Sequence, residues 1–200
     1  MQDTILIVDD SPTNLTILLE TLKGHGYKLL IAKNGKAALQ IAEKANLSLI
    51  LLDIMMPEMS GYEVCHHLKN NPETKDIAII FLSALDDPRD KVKGLKMGAE
   101  DYIAKPFLPE EVIARVATQL KVRHLEQALT AKNIHLKEKN ERILQAIHEG
   151  ILGIDSRRII TFVNPAATQI IGLNIDDFTD HSVTIVIPPI PGSASVPEIY

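Results

Sequence analysis

Residues 1–120 predict a doubly wound α/β domain, a five-stranded parallel sheet with helices on both faces. Three observations carry that reading. Five short apolar runs, each stopped by turn residues, read as strands buried on both sides. Segments with helical spacing alternate strictly with these runs, which gives a parallel sheet joined by helical crossovers. Four of the runs end on polar or charged side chains: Asp9 and Asp10, Asp53, Ser83, and Lys105. In an open parallel sheet ligands bind outside the carboxyl ends of the strands, so these five groups are predicted to converge on one site.

The elements follow in order. Residues 4–8 form the first strand, and SPTNLTILLETLKGHG the first helix. Ser11 suits its N-cap, Pro12 its first turn, and Gly24 or Gly26 its end. YKLLIAK is the second strand, with a turn at Asn34-Gly35, and GKAALQIAEKA is the second helix. LSLILLD is the third strand. After the loop MMPEMSG, the helix YEVCHHLKNN stops before Pro72. IAIIFLS is the fourth strand, PRDKVKGLKMGA the next helix, DYIAK the fifth strand, and LPEEVIARVATQL the last helix.

That last helix carries no stop signal. Between Pro109 and Gly150 there is neither Gly nor Pro, so helix is expected to run for about forty residues. Val122, Leu129, Leu136 and Ile143 recur every seven residues. With these at heptad position a, Leu125 and Ala146 fall at d, together with Lys132 and Lys139. The repeat predicts a short parallel coiled coil in preference to a solvated linker helix, because so polar a helix has little else to bury against. After Gly150, GILGID and RIITFVN flank the turn SRR as an antiparallel hairpin, and PAATQIIGL forms a short helix. A sheet of two or three strands makes no core of its own, so this segment reads as a truncated α+β domain. The expected domains are therefore 1–120, a helical coiled-coil linker at 121–147, and the truncated segment with an irregular tail at 148–200.

Composition narrows the function. The chain has 21 basic and 26 acidic residues, a net charge of −5, and no local basic module, so direct nucleic-acid binding is not expected. The single Cys65 excludes an intramolecular disulfide and fits a reducing, cytoplasmic setting. The N-terminus lacks a basic start and a long apolar stretch, and no run reaches the ~18–20 apolar residues of a membrane span.

Adjacent carboxylates repel unless a cation resolves them. Asp9, Asp10 and Asp53 make an all-oxygen cluster, which suits Mg²⁺ better than zinc. Bound there, the cation would make one carboxylate a workable nucleophile toward a phosphoryl group. Lys105 would add positive charge, and Ser83 a hydroxyl donor. Helix capping accounts for any one of these acids, but poorly for five groups at one edge.

Other signals fail. KNGKAA lacks the Ser/Thr and first glycine of a phosphate loop, and Ser83 lacks the GxSxG context of a hydrolase. His66 and His67 are adjacent, so they cannot form an i,i+4 metal pair. A haloacid-type phosphatase expects a second aspartate two residues after the nucleophile, where Met55 stands.

At ILIVDDS, LILLDIMMPEMSGYE, FLSA and DYIAKPF the sequence resembles the receiver domain of two-component response regulators, over about residues 3–120. The resemblance implies a flavodoxin-like fold with Asp53 as the phosphoacceptor. It implies Mg²⁺ held by Asp10, Asp53 and the backbone carbonyl of Met55, with Asp9 acting through water. Ser83 and Lys105 would bind the phosphoryl group, Ser83 and Tyr102 would act as the switch, and Lys105–Pro106 would be a cis peptide. A sensor histidine kinase or phosphotransfer protein would be the phosphodonor. The side chains two positions after Asp53 and Ser83 are Met55 and Leu85, and neither can orient an attacking water. The aspartyl phosphate is therefore expected to be long-lived.

ERILQAIHEGILGIDSRRIITFVNPAATQIIG resembles the opening of a PAS domain, over about residues 142–190. His124 and His148 lack the context of a kinase acceptor helix, and neither a nucleotide-binding glycine box nor a GGDEF string occurs. The expected function is a non-enzymatic phosphorelay switch that acts through a helical homodimer on the PAS-like region. The coupling surface is expected at 88–98, 102–105 and 109–120. Two alternatives stay open: the N-terminal part of a hybrid histidine kinase or cyclase, and a small-molecule sensor tuned by the receiver.

Overall fold

The computed structural model of the chain describes residues 2–83, 94, 97–157 and 159–171. The chain divides into two units, Met1–Ala128 and Leu129–Tyr200.

The first unit is built on five strands: β1 (Thr4–Val8), β2 (Lys28–Ala32), β3 (Leu49–Asp53), β4 (Ala78–Ser83) and β5 (Asp101–Ala104). All pairings are parallel, in the order β2-β1-β3-β4-β5. The central strands are buried along their whole length, which is why they read as unbroken apolar runs. Alternate residues serve opposite faces. Leu6, Val8, Ile50, Leu52 and Ile79 belong to one core with the helices α2 (Gly35–Lys44) and α3 (Gly61–Asn70). Ile5, Ile7, Leu49, Leu51 and Ile80 belong to the other, with α1 (Pro12–Leu22) and the first turns of α4 (Pro109–Ala146).

Side chains start the helices. Ser11 accepts from the Asn14 amide at the head of α1, and Asn34 from the Ala37 amide at the head of α2. Ser60 and Glu63 form a reciprocal capping box on α3, and these hydrogen bonds hold the Glu63 carboxyl below its ordinary pKa. The end of α1 agrees with the expected glycine stop, since Gly24 directly follows the C-cap in the left-handed conformation. Lys23, in extended conformation, is its C-cap, while Gly24 and Gly26, both at φ 83°, form the turn that follows. Leu22, the last helical residue, is buried in the core. The helix expected over PRDKVKGLKMGA lies mostly outside the described residues.

Helix α4 runs unbroken for 38 residues. Only Val112, Val116 and Leu120 are buried; beyond them the helix is exposed over nearly its whole circumference. None of the helices among the described residues is long and apolar enough to cross a membrane.

In the second unit, β6 (Leu152–Ile154) and β7 (Ile160–Val163) form an antiparallel pair, followed by α5 (Pro165–Ile171). Asp155 closes the turn by accepting from the amides of Arg157 and Ile159, which lowers its pKa. Ile160, Val163 and Ala167 form a small core. Asn164 is fully buried and joins three pieces of backbone. Its carbonyl accepts from Ile151 and Ala167, and its amide donates to the Glu149 carbonyl at 2.9 Å. VTIVI lies outside the described residues.

Gly61 ties the fold to the strand edge. A Cβ there would overlap the backbone carbonyl of Asp53, and it would lie 3.0 Å from the Ile54 Cα. Gly61→Ala is expected to destabilise the first unit by ~1–3 kcal/mol, read as a lower denaturation midpoint at unchanged m-value.

Candidate functional site

Parallel pairing sets the ends of β1, β3, β4 and β5 side by side. Asp9 follows β1, Asp53 is the last residue of β3, Ser83 the last of β4, and Lys105 follows β5. One carboxylate oxygen from each of Asp9, Asp10 and Asp53 lies within 4.8 Å of the others.

Burial divides the acids by role. Asp9 is fully buried and heavily anchored. Its Oδ1 accepts from the Ser11 amide at 2.8 Å, Asn14 Nδ2 donates to both its oxygens at 3.0 Å, and Lys105 Nζ lies 2.8 Å from Oδ2. Asp10 is exposed. Asp53 is buried, with Lys105 Nζ at 2.8 Å from its Oδ2 and the Met55 amide at 3.4 Å from its Oδ1. Ser83 is buried as well, and its carbonyl accepts from the Lys105 amide at 2.8 Å.

The ammonium of Lys105 thus bridges two buried carboxylates. Burial disfavours its charge, but hydrogen bonds to Asp53 and Asp9, and their charges, outweigh that and raise its pKa above 10.5. Asp53 moves the other way from most ion-paired acids. Burial raises its pKa above 3.8, and the neighbouring charge of Asp9 adds to the rise. The hydrogen bond and charge of Lys105 only partly oppose it. Three ionised carboxylates against one ammonium leave two negative charges in the cluster. An all-oxygen donor set with that deficit matches a hard divalent cation.

Around this centre, Met55 is 65% exposed at the rim, and Lys105 Nζ lies 5.9 Å from the Phe107 ring centroid. The Lys105–Pro106 peptide is cis. Tyr102 is half-buried on β5, with the Arg115 guanidinium 5.4 Å from its ring centroid. Arg115 is itself fixed by both oxygens of Asp101 and one of Glu111, each at 2.8 Å, which raises its pKa further. Leu85 lies outside the described residues.

Two residues of this arrangement were not singled out from the sequence. Asn14 reaches back from the first turn of α1 to Asp9; an amide five residues after the acid was the available sign. Arg115 reaches Tyr102 from α4, with no local sequence sign.

Comparison with known proteins places these features. The family model for the response regulator receiver domain matches residues 5–117, and the PAS fold model matches 138–196. Over 136 residues the chain is 42% identical to the Vibrio cholerae protein named "Probable cyclic di-GMP phosphodiesterase", covering 68% of this chain and 31% of that one. It is 42% identical over 121 residues to the alkaline phosphatase synthesis transcriptional regulatory protein PhoP of Bacillus subtilis, covering 60% of this chain and 50% of PhoP. The chain therefore spans about a third to a half of these two curated relatives. Among solved structures, the signal receiver domain of a signal transduction histidine kinase from Syntrophus aciditrophicus aligns with TM-score 0.55 and 39% identity, covering 60% of this chain and 90% of that one. With a family model matching more than half of its length and a site of acids and lysine at the matching strand ends, the chain belongs to the response regulator receiver domain family of two-component signalling.

Proposed function

We propose that the chain is a phosphorylation-controlled switch in which Asp53 accepts a phosphoryl group from a histidine kinase or phosphotransfer protein. One observation carries this reading: the buried Asp53 carboxylate at the strand edge, bridged through Lys105 to Asp9 with Asp10 beside it. Asp10, Asp53 and the Met55 carbonyl would hold Mg²⁺, with Asp9 acting through water; the cation would offset the carboxylate charge and polarise the phosphoryl oxygens. An Asp53 oxygen attacks the phosphorus of a phosphohistidine. The P–N bond breaks, and its electron pair returns to the imidazole, which takes a proton from solvent. Lys105 and Ser83 then bind the phosphoryl oxygens, and Ser83 and Tyr102 register the new state.

The output runs through α4. It is rooted in the first unit by Val112, Val116 and Leu120, and it carries Leu129, Leu136 and Ile143 exposed at seven-residue spacing. We read that spacing as the seam of a homodimer whose stability the phosphoryl state adjusts, by its differential affinity for two arrangements. In domain terms, residues 1–120 are the receiver, 121–147 the coiled-coil linker and 148–200 the PAS-like segment. A second reading, in which the receiver governs an output enzyme, is favoured by the Vibrio cholerae relative. It is tested by assaying cyclic dinucleotide hydrolysis before and after phosphorylation.

Three outcomes are expected. With a small phosphodonor and Mg²⁺, mass spectrometry shows one phosphoryl increment on the wild type and none on Asp53→Asn, and the oligomeric state shifts only in the former. Full labelling of the Asp53→Asn variant would remove the acceptor assignment.

Met55→Glu, which places an acid able to orient water beside the acceptor, shortens the phosphoryl lifetime by about tenfold or more, measured as phosphate release after donor removal.

The third outcome follows from the raised Asp53 pKa. The folded state binds the proton more tightly than the unfolded chain, so this group favours folding in acid, and the contribution is lost as pH rises through the folded pKa. In metal-free buffer at pH 7, Asp53→Asn is therefore more stable than wild type. The gap closes toward acid pH and on adding Mg²⁺ to the wild type. Paired denaturation curves against pH with and without Mg²⁺ check this.

A further inference from the structure

The seven-residue stripe on α4 belongs to two heptad frames, and they bury different polar residues. Leu129, Leu136 and Ile143 are 61%, 45% and 49% exposed and form the spine of either frame. If they occupy position a, Lys132 and Lys139 fall at d, between the apolar Leu125 and Ala146. If they occupy position d, Asn133 and Asn140 fall at a, and the a position before Leu129 is Glu126, so this frame begins at Leu129. The two lysines and the two asparagines are exposed in the single chain.

Physical chemistry separates the frames. The first places two layers of facing ammonium groups in the seam, where each loses hydration and meets a like charge. The second leaves those lysines on the flanks, where water screens them. It buries two asparagines, each both donor and acceptor, which can satisfy one another when the facing residue is the same asparagine. Only an identical chain, parallel and in register, supplies that match at both layers. Asparagine at a is also a residue that specifies register and oligomer state, at a cost in stability.

We propose that residues 129–146 pair in parallel with the same segment of a second copy of this chain, with Leu129, Leu136 and Ile143 at d and Asn133 and Asn140 stacked across the seam. This rests on the homodimer reading above and sharpens it. The occupant is a second copy, and the two asparagines fix its register. Three apolar layers interrupted by two polar ones make a weak seam, which suits a contact that attached domains must be able to bias.

Disulfide trapping in the full chain on a Cys65→Ala background tests this. Single cysteines replace Asn133 or Asn140, and separately Lys132 or Lys139, with sedimentation run in parallel on the reduced proteins. Rapid cross-linking at both 133 and 140, at least tenfold faster than at 132 and 139, is the expected result. Faster trapping at 132 and 139, or equal trapping at all four, overturns the asparagine register. Trapping at one asparagine position but not the other overturns the parallel arrangement. A chain that sediments as a dimer yet traps at none of the four has its interface elsewhere, and the proposal fails while the homodimer reading survives. A chain that sediments as a monomer before and after phosphorylation ends both. Asn133→Asp with Asn140→Asp, which keeps shape but places like charges in the seam, is expected to weaken association at least tenfold without changing helix content by circular dichroism.

Discussion

The arrangement of the first unit depends on one ammonium group between two buried carboxylates. Lys105 arrives from the fifth strand and lies 2.8 Å from both Asp9 and Asp53, which arrive from the first and third. Without it two acids would face each other out of water, an arrangement that protonation or unfolding would relieve. The bridge requires the strand ends to be level, and parallel pairing in this order makes them so. Sheet register and site chemistry are therefore one constraint.

That constraint also differentiates the acids. Asp9 has its hydrogen bonds filled by Ser11, Asn14 and Lys105, and is a fixed part of the scaffold. Asp53 is under-compensated, since burial outweighs its single ammonium partner. A carboxylate held at some cost in its ionised form gains more from a cation or an electrophile than a well-solvated one does. The surrounding core, buried on both faces, supplies the stability against which that cost is carried.

The fold and the site were legible in the sequence for one reason. Parallel strands covered on both faces must be continuously apolar, so the first polar residue after each run marks the ligand edge. Asp9, Asp10, Asp53, Ser83 and Lys105 all announce themselves in this way. Asn14 and Arg115 do not, because each acts by reaching across from a helix and helical periodicity says nothing of reach. The end of α1, by contrast, is legible, because the glycine that follows the C-cap supplies the left-handed residue with which such helices close. The heptad gave the spine of α4 but not its frame, because Leu129, Leu136 and Ile143 serve both frames equally and the decision lies with the polar residues between them.

The capped starts of α1, α2 and α3 have a consequence of another kind. In a parallel sheet every crossover helix begins at the carboxyl edge of the strands, so the heads at Ser11, Asn34 and Ser60 all face the edge where Asp53 sits. Each head carries the positive end of a helix macrodipole, about half an elementary charge before screening. The chain as a whole is acidic, at −5. Its far field therefore repels anions, and at this rim the helix ends offset part of the two negative charges that the carboxylates leave. That offset is felt only within a Debye length, about 8 Å at physiological salt. Topology thus lowers, at one edge of an acidic molecule, the charge that a bound cation has to neutralise before a phosphate can approach.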